Sequence, residues 1–232
     1  MKKNFKSLIL SDLESVTARD PATSTKLQAI LFSSGFHAIF CYRINHFLWQ
    51  KNWRLLARFL SQVTRFLTGV EIHPAAHIGE GFFIDHGMGV VIGETSEIGN
   101  QVTIYHGVTL GGTNLFNEKG KKTGKRHPSV GNNVVIGSGA QILGPVKIGD
   151  NAKIGSNAVV VKDVEKNTTV VGPAAHQTHQ KQKSNTIFCA YGVDKNLTDP
   201  IAEDIALIER RIKELETQIE SISQKKQNET IL

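Results

Sequence analysis

From residue 72 onward, aliphatic side chains return every six positions. One run is Ile72, Ile78, Ile84 and Val90, and a second is Ile92, Ile98, Ile104 and Leu110. After an interruption the period resumes at Val130, Ile136, Ile142, Ile148, Ile154 and Val160. Glycine often follows the aliphatic, and Gly or Asn often lies three positions after it, as at Gly81, Gly107, Asn133, Gly139, Asn151 and Asn157. A period of six fits neither a helix nor a lone amphipathic strand. It fits a short strand and a turn, repeated. Three such units close a triangular coil, and coils stack at the ~4.8 Å spacing of paired strands. The aliphatics then fill the axis, while Gly and Asn accept the left-handed corners. The pattern predicts a parallel β-helix over residues 70–193.

The interruption, Gly111–Ser129, is polar, basic and glycine-rich. A loop of that length inside a regular array usually serves a function, and this one (111–129) is expected to cover a site.

The flanks carry another rhythm. In residues 1–69 apolar positions recur every three or four residues: Ile39, Tyr42, Ile44, Phe47, Leu48, then Leu55, Leu56, Phe59, Leu60, Val63. That predicts a helical N-terminal section. Ser11 with Glu14 reads as a capping box, Asp20-Pro21 as a second helix start, and Gly69 as the end. In residues 194–232, Ile201, Ile205, Ile208, Ile212, Leu215, Ile219 and Ile222 step by 4 and 3 in alternation. This is a coiled-coil seam, and isoleucine at both core positions favours three strands. A threefold coil suits a triangular prism, so a homotrimer is expected, and trimers pairing further stays open. The fold class is therefore α+β: helices, then prism, then a C-terminal helix.

Composition narrows the chemistry. The net charge of +6 leaves small anions, nucleic acid and anionic membranes open as partners. Apart from Lys119–Arg126 the basic residues are dispersed, and aromatics are only 7%, which argues against a nucleic-acid face. Cys41 and Cys189 make no disulfide framework and no zinc-ligand pair, and they suit a reducing cytoplasm. The most apolar stretch, Leu27–Trp49, is broken by Ser33, Ser34, His37, Arg43, Asn45 and His46, so it is a poor membrane span. No secretory leader is read at the N-terminus. His86, within Asp85-His86-Gly87-Met88-Gly89, is a candidate general base whose glycine neighbours permit close approach. His73, His77, His106 and His127 invite comparison with prism-shaped zinc enzymes, but the helical section speaks against a metal.

Several segments carry a more specific likeness: RDPA at 19–22, GFHA at 35–38, YRI at 42–44, EIHPAA at 71–76, DHGMGVVIGET at 85–95, VTLGGT at 108–113 and KRHP at 125–128. Over about residues 15–175 the chain resembles the serine acetyltransferases, of the shorter bacterial type, among the hexapeptide-repeat acyltransferases. The resemblance implies a left-handed β-helix, which periodicity cannot supply, since parallel crossovers normally run the other way. It implies transfer of acetyl from acetyl-CoA to L-serine, the first step of cysteine biosynthesis, by direct attack aided by a general base.

By the same resemblance, His86 is the base and Glu71 orients it. Glu71 lies fifteen residues earlier, close to one coil, and long-form relatives carry Asp there. Asp20 and Asp85 would hold the serine ammonium, and Arg126 and His127 its carboxylate. Gly111, Gly112 and Thr113 would flank the pantetheine, with Ser138 and Ser156 at successive turns and Lys125 near phosphates. A tail that docks on cysteine synthase is also implied, although this chain ends Thr230-Ile231-Leu232. The Gly172-Pro173 junction departs from the family pattern. A sugar or antibiotic acetyltransferase, and a non-catalytic scaffold, are the rival readings. Asp20 and the GFHA helix argue against the first, and His86, Asp85, Arg126 and His127 against the second.

Overall fold

The computed structural model describes residues 4–113, 124–172 and 200–229, and in the last segment side chains over 205–220. Four helices come first: α1 Phe5–Arg19, α2 Lys26–Phe32, α3 Ser34–Gln50 and α4 Arg54–Thr68. Fourteen strands of two or three residues follow among the described residues, and then α5 Pro200–Glu229.

The strands form three parallel faces of a prism. The first face holds β1 (Glu71–Ile72), β4 (Val91–Ile92), β7 (Thr109–Gly111), β10 (Gln141–Leu143) and β13 (Val159–Val160). The second holds β2 (His77–Ile78), β5 (Glu97–Ile98), β8 (Ser129–Val130) and β11 (Lys147–Ile148). The third holds β3 (Phe83–Ile84), β6 (Thr103–Ile104), β9 (Val135–Ile136), β12 (Lys153–Ile154) and β14 (Thr169–Val170). The periodic aliphatics pair in register up the prism and form one buried core.

The register refines the six-residue reading at one position. Ile72 pairs with Ile92, not Val90, so the first coil holds two residues more than the next, where Ile92 pairs with Leu110. Val90 instead belongs to a second buried row, two residues before each aliphatic, with Val70, Val102, Val108 and Val134. The extra residues fall between Ile84 and Ile92, in the corner that carries Asp85 and His86. Across the interruption Ile98 pairs with Val130, so the inserted loop leaves the stack undisturbed. The corners take left-handed backbone at Gly81, Gly107, Gly139, Asn133, Asn151 and Asn157, as expected.

The first coil of a β-helix is an open end. Each strand donates N–H groups to the following coil (Glu71 to Val90, His77 to Ser96), so strand carbonyls of the first coil have no coil to serve them. Helix α3 closes part of that end. Tyr42 Oη donates to Ala76 O at 2.6 Å, and the Arg43 guanidinium donates to Ile78 O and Gly79 O. Arg43 is in turn gripped by Asp12 of α1 at 3.0 Å, and Asp12 accepts the Phe82 N–H at 3.1 Å. The pair is buried, at 5% and 1% exposure. Burial pushes the Asp12 carboxyl up, and Arg43 pulls against it. The helical section and the prism lie in one compact unit, Met1–Pro173.

Two expected helix starts are corrected. Helix α1 already runs through Ser11, with Asn4 at its N-cap. Asp20 closes α1 rather than opening α2, which starts at Lys26 behind Thr25. The Asp20 carboxylate is taken by its own turn, accepting from Ala22 N at 2.8 Å and Thr23 Oγ1 at 2.6 Å. Gly69 does end α4, at φ 71°.

The second unit, Ala174–Leu232, contains α5. Its Ile205, Ile208, Ile212, Leu215 and Ile219 are exposed in the single chain, and the side chains of Ile201 and Ile222 lie outside the described set. Among the described residues no helix is long and apolar enough to cross a membrane.

Candidate active site

The corner between the third and first faces carries a column of side chains. His86, His106, Ser138 and Ser156 each lie two residues past an inward aliphatic (Ile84, Ile104, Ile136, Ile154), and those aliphatics pair in register. The His86 side chain is 71% exposed, and its backbone is left-handed at φ 60°. Such a conformation in a non-glycine residue is uncommon and persists only where neighbours hold it. Here Ser34 Oγ donates to His86 O at 2.8 Å. Helix α3 can approach that closely because residue 35 is glycine, since a Cβ there would overlap the Ile84 carbonyl. The His86 ring meets His106 edge-on, with centroids 5.5 Å apart. Asp85 Oδ1 lies 3.9 Å from His86 Nε2, beyond hydrogen-bond length. Ser138 Oγ donates to Ser156 Oγ at 3.2 Å.

The next corner, between the first and second faces, is built differently. Gly111, Gly112 and Thr113 leave β7, and Arg126 and His127 enter β8, with Thr113 N donating to Arg126 O at 3.2 Å. His127 is only 4% exposed, and burial holds its imidazole below the usual pKa. Its ring fits because residues 93 and 112 are glycine. Thr95 binds this segment at several points, a role the sequence reading missed although Thr95 ends the quoted DHGMGVVIGET run. Arg126 Nη2 stands 3.7 Å from Glu94 Oε2. Lys125 Nζ is held by Thr95 O at 2.7 Å and by Glu97 at 3.2 Å.

The expected site residues are therefore brought together in two groups, not one. His86, Asp85, Ser138 and Ser156 share one edge of the first face, and Arg126, His127 and Gly111–Thr113 share the other. Six residues at ~3.3 Å each set those edges up to ~20 Å apart, too far for one amino acid to bridge. Glu71, on the first face, pairs with Arg65 at 3.2 Å, and no hydrogen bond joins it to His86 among the described residues. Arg19 anchors the end of α1 on the third face through Thr103 Oγ1 at 3.0 Å, and Asp20 follows there. Among the described residues, no group of three or more His, Cys, Asp or Glu side chains is placed to hold a metal ion. His73 packs against Trp49 instead, at 5.2 Å, and burial lowers its pKa to about 4.

Comparison with known proteins bears on this arrangement. Residues 1–41 match the family described as serine acetyltransferase, N-terminal, and residues 127–162 match the bacterial transferase hexapeptide (six repeats). A serine acetyltransferase of Helicobacter pylori is 56% identical over 163 residues, covering 70% of this chain and 92% of that protein. One from Bacillus subtilis is 44% identical over 216 residues, covering 93% and 95%. Among solved structures, the Neisseria gonorrhoeae serine acetyltransferase in complex with serine superposes with a TM-score of 0.68 at 44% identity, covering 75% of this chain and 68% of that one. The Entamoeba histolytica isoform 3 in complex with cysteine superposes with a TM-score of 0.70 at 37% identity, covering 77% and 61%. The left-handed β-helix with N-terminal helices and a C-terminal helix is thus the fold.

Proposed function

The chain belongs to the serine acetyltransferase family, and from that premise we propose that it moves the acetyl group of acetyl-CoA onto the hydroxyl of L-serine, yielding O-acetyl-L-serine and CoA at the entry to cysteine biosynthesis. The observation that carries the reading is the division of the expected site between two edges of one face. Three prisms set around an axis, first faces inward, bring the His86 edge of one copy against the Arg126–His127 edge of the next. The exposed isoleucine seam of α5 supports the same homotrimer.

In that cleft the serine carboxylate meets the forked donors of Arg126 and the His127 ring, and its ammonium meets Asp85 and Asp20. A hydroxyl is a weak nucleophile at neutral pH, so His86 takes its proton as the oxygen attacks the thioester carbon. The tetrahedral intermediate collapses, the carbon–sulfur bond breaks, and His86 returns the proton to the departing sulfur. The exposed ring can reach both positions. Glu71 serves as its orienting carboxylate when it turns from Arg65. The pantetheine arm runs along Ser138 and Ser156 on one copy and Gly111, Gly112 and Thr113 on its neighbour. Lys125 reaches phosphates by releasing Glu97. The two cysteines suit a cytoplasmic enzyme. Docking on cysteine synthase through Thr230–Leu232 concerns residues outside the described set, and co-elution lost on deleting them is its test.

The deciding assay follows thiol release from acetyl-CoA with L-serine and with sugar acceptors. Serine-dependent release that vanishes in His86→Ala, with the trimer intact, is expected. Retained turnover in that variant refutes the base assignment.

A further inference from the structure

Thr95 lies outside the residues to which the reaction has been assigned, yet its hydroxyl is fully engaged on two that have been. Its Oγ1 accepts the backbone N–H of Arg126 and of His127, each at 3.1 Å. It is also 2.9 Å from His127 Nδ1, and the Thr95 backbone N–H reaches the same nitrogen at 3.1 Å. A hydroxyl has one hydrogen to give and two lone pairs. With both lone pairs taken by amides, that hydrogen goes to Nδ1.

The second contact settles the tautomer. A backbone N–H can only donate, so Nδ1 is an acceptor and carries no proton. The proton of the neutral ring then sits on Nε2. Among the described residues, Ser96 Oγ is the only side-chain polar atom both buried and unpartnered. Nε2 of His127, which makes no hydrogen bond to any described residue, lies beside Gly93 and Gly112.

We propose that Thr95 is the positioning residue of the amino-acid site: it fixes the Arg126–His127 backbone and presents His127 as an Nε2–H donor to the substrate carboxylate. The inference rests on the acetyl-transfer reading and adds how one end of the substrate is selected. A methyl group in place of the hydroxyl loses all three bonds, whereas serine can make all three.

The test begins with wild-type enzyme labelled with ¹⁵N at histidine, in which His127 should show a bare Nδ1 and a protonated Nε2 at neutral pH. Thr95→Val should raise KM for L-serine about tenfold, with KM for acetyl-CoA little changed and the bare Nδ1 kept by the residue-95 backbone N–H. It should also narrow the preference for L-serine over L-serinamide, which lacks the carboxylate. Thr95→Ser should restore both readouts. A wild-type spectrum with Nδ1 protonated overturns the proposal without any variant. An unchanged serine KM in Thr95→Val also overturns it, as does a joint loss of both KM values and thermal stability that serine does not rescue. Failure of the underlying reading looks different: wild-type enzyme then releases no thiol in response to serine.

Discussion

Two neighbouring corners of the same prism treat a histidine in opposite ways. At one, His86 stands out into solvent on a left-handed backbone, tied among the described residues by one side-chain hydrogen bond, from Ser34. At the other, His127 is sunk between two glycines, with its backbone N–H and Nδ1 both bound to Thr95. The contrast matches the work proposed for each. A ring that carries a proton from one atom to another needs access to both. A ring that only recognises a carboxylate gains from being held still, because immobilisation is then not charged against binding. The same repeat produces both corners. The first has room because its coil holds two extra residues, and the second is packed because the loop returns onto the Gly93 strand end.

Four perturbations test that contrast. The largest effect is expected at the open corner: His86→Ala should lower kcat by ~10²–10⁴-fold, the usual worth of a general base, with the trimer retained by light scattering. At the packed corner, Arg126→Ala should act on binding, raising KM for serine by roughly 10–100-fold through loss of a charge-assisted pair. If its kcat falls as far as in His86→Ala, the division between the corners is wrong. A smaller effect is expected when the tie on the open corner is cut. Ser34→Ala should reduce kcat about fivefold, one ordinary hydrogen bond, with both KM values little moved. The smallest is a slope. His73 titrates near 4 in the folded chain against 6.5 for an unperturbed imidazole, and burial lowers His127 in the same direction. The unfolded chain therefore binds protons more readily between those values, so stability is full above pH 6.5 and declines as pH falls toward 4. Thermal unfolding followed across that range should show the decline, and His73→Gln should flatten it.

The lid over the first coil offers a parallel lesson in what a motif means. The YRI segment resembles the family, yet its Tyr42 and Arg43 are spent on orphan carbonyls and on Asp12. Removing one member of such a buried pair typically costs about 3–5 kcal/mol, so Asp12→Asn should harm folding before it harms chemistry. GFHA reads the same way: Gly35 is required by contact with the Ile84 carbonyl, and that contact lets Ser34 reach the His86 backbone.

Much of this architecture was legible in the residues alone. The six-residue rhythm determined three faces, an aliphatic core and left-handed corners, because a side chain's inward or outward sense repeats with every strand and turn. The Ile and Leu ladder of α5 and the stop at Gly69 were determined locally in the same way. Tertiary structure decided what depends on how coils stack. Val90 left the row it seemed to join because the corner before it is longer. Ser11 and Asp20 lost their capping roles because α1 starts earlier and Asp20 closes a turn. Glu71 found Arg65, and Thr95 found His127 32 residues away. Spacing along a chain fixes which side chains share a face. Which edge a residue reaches, and which distant group satisfies its hydrogen bonds, follows only when the coils are laid on one another.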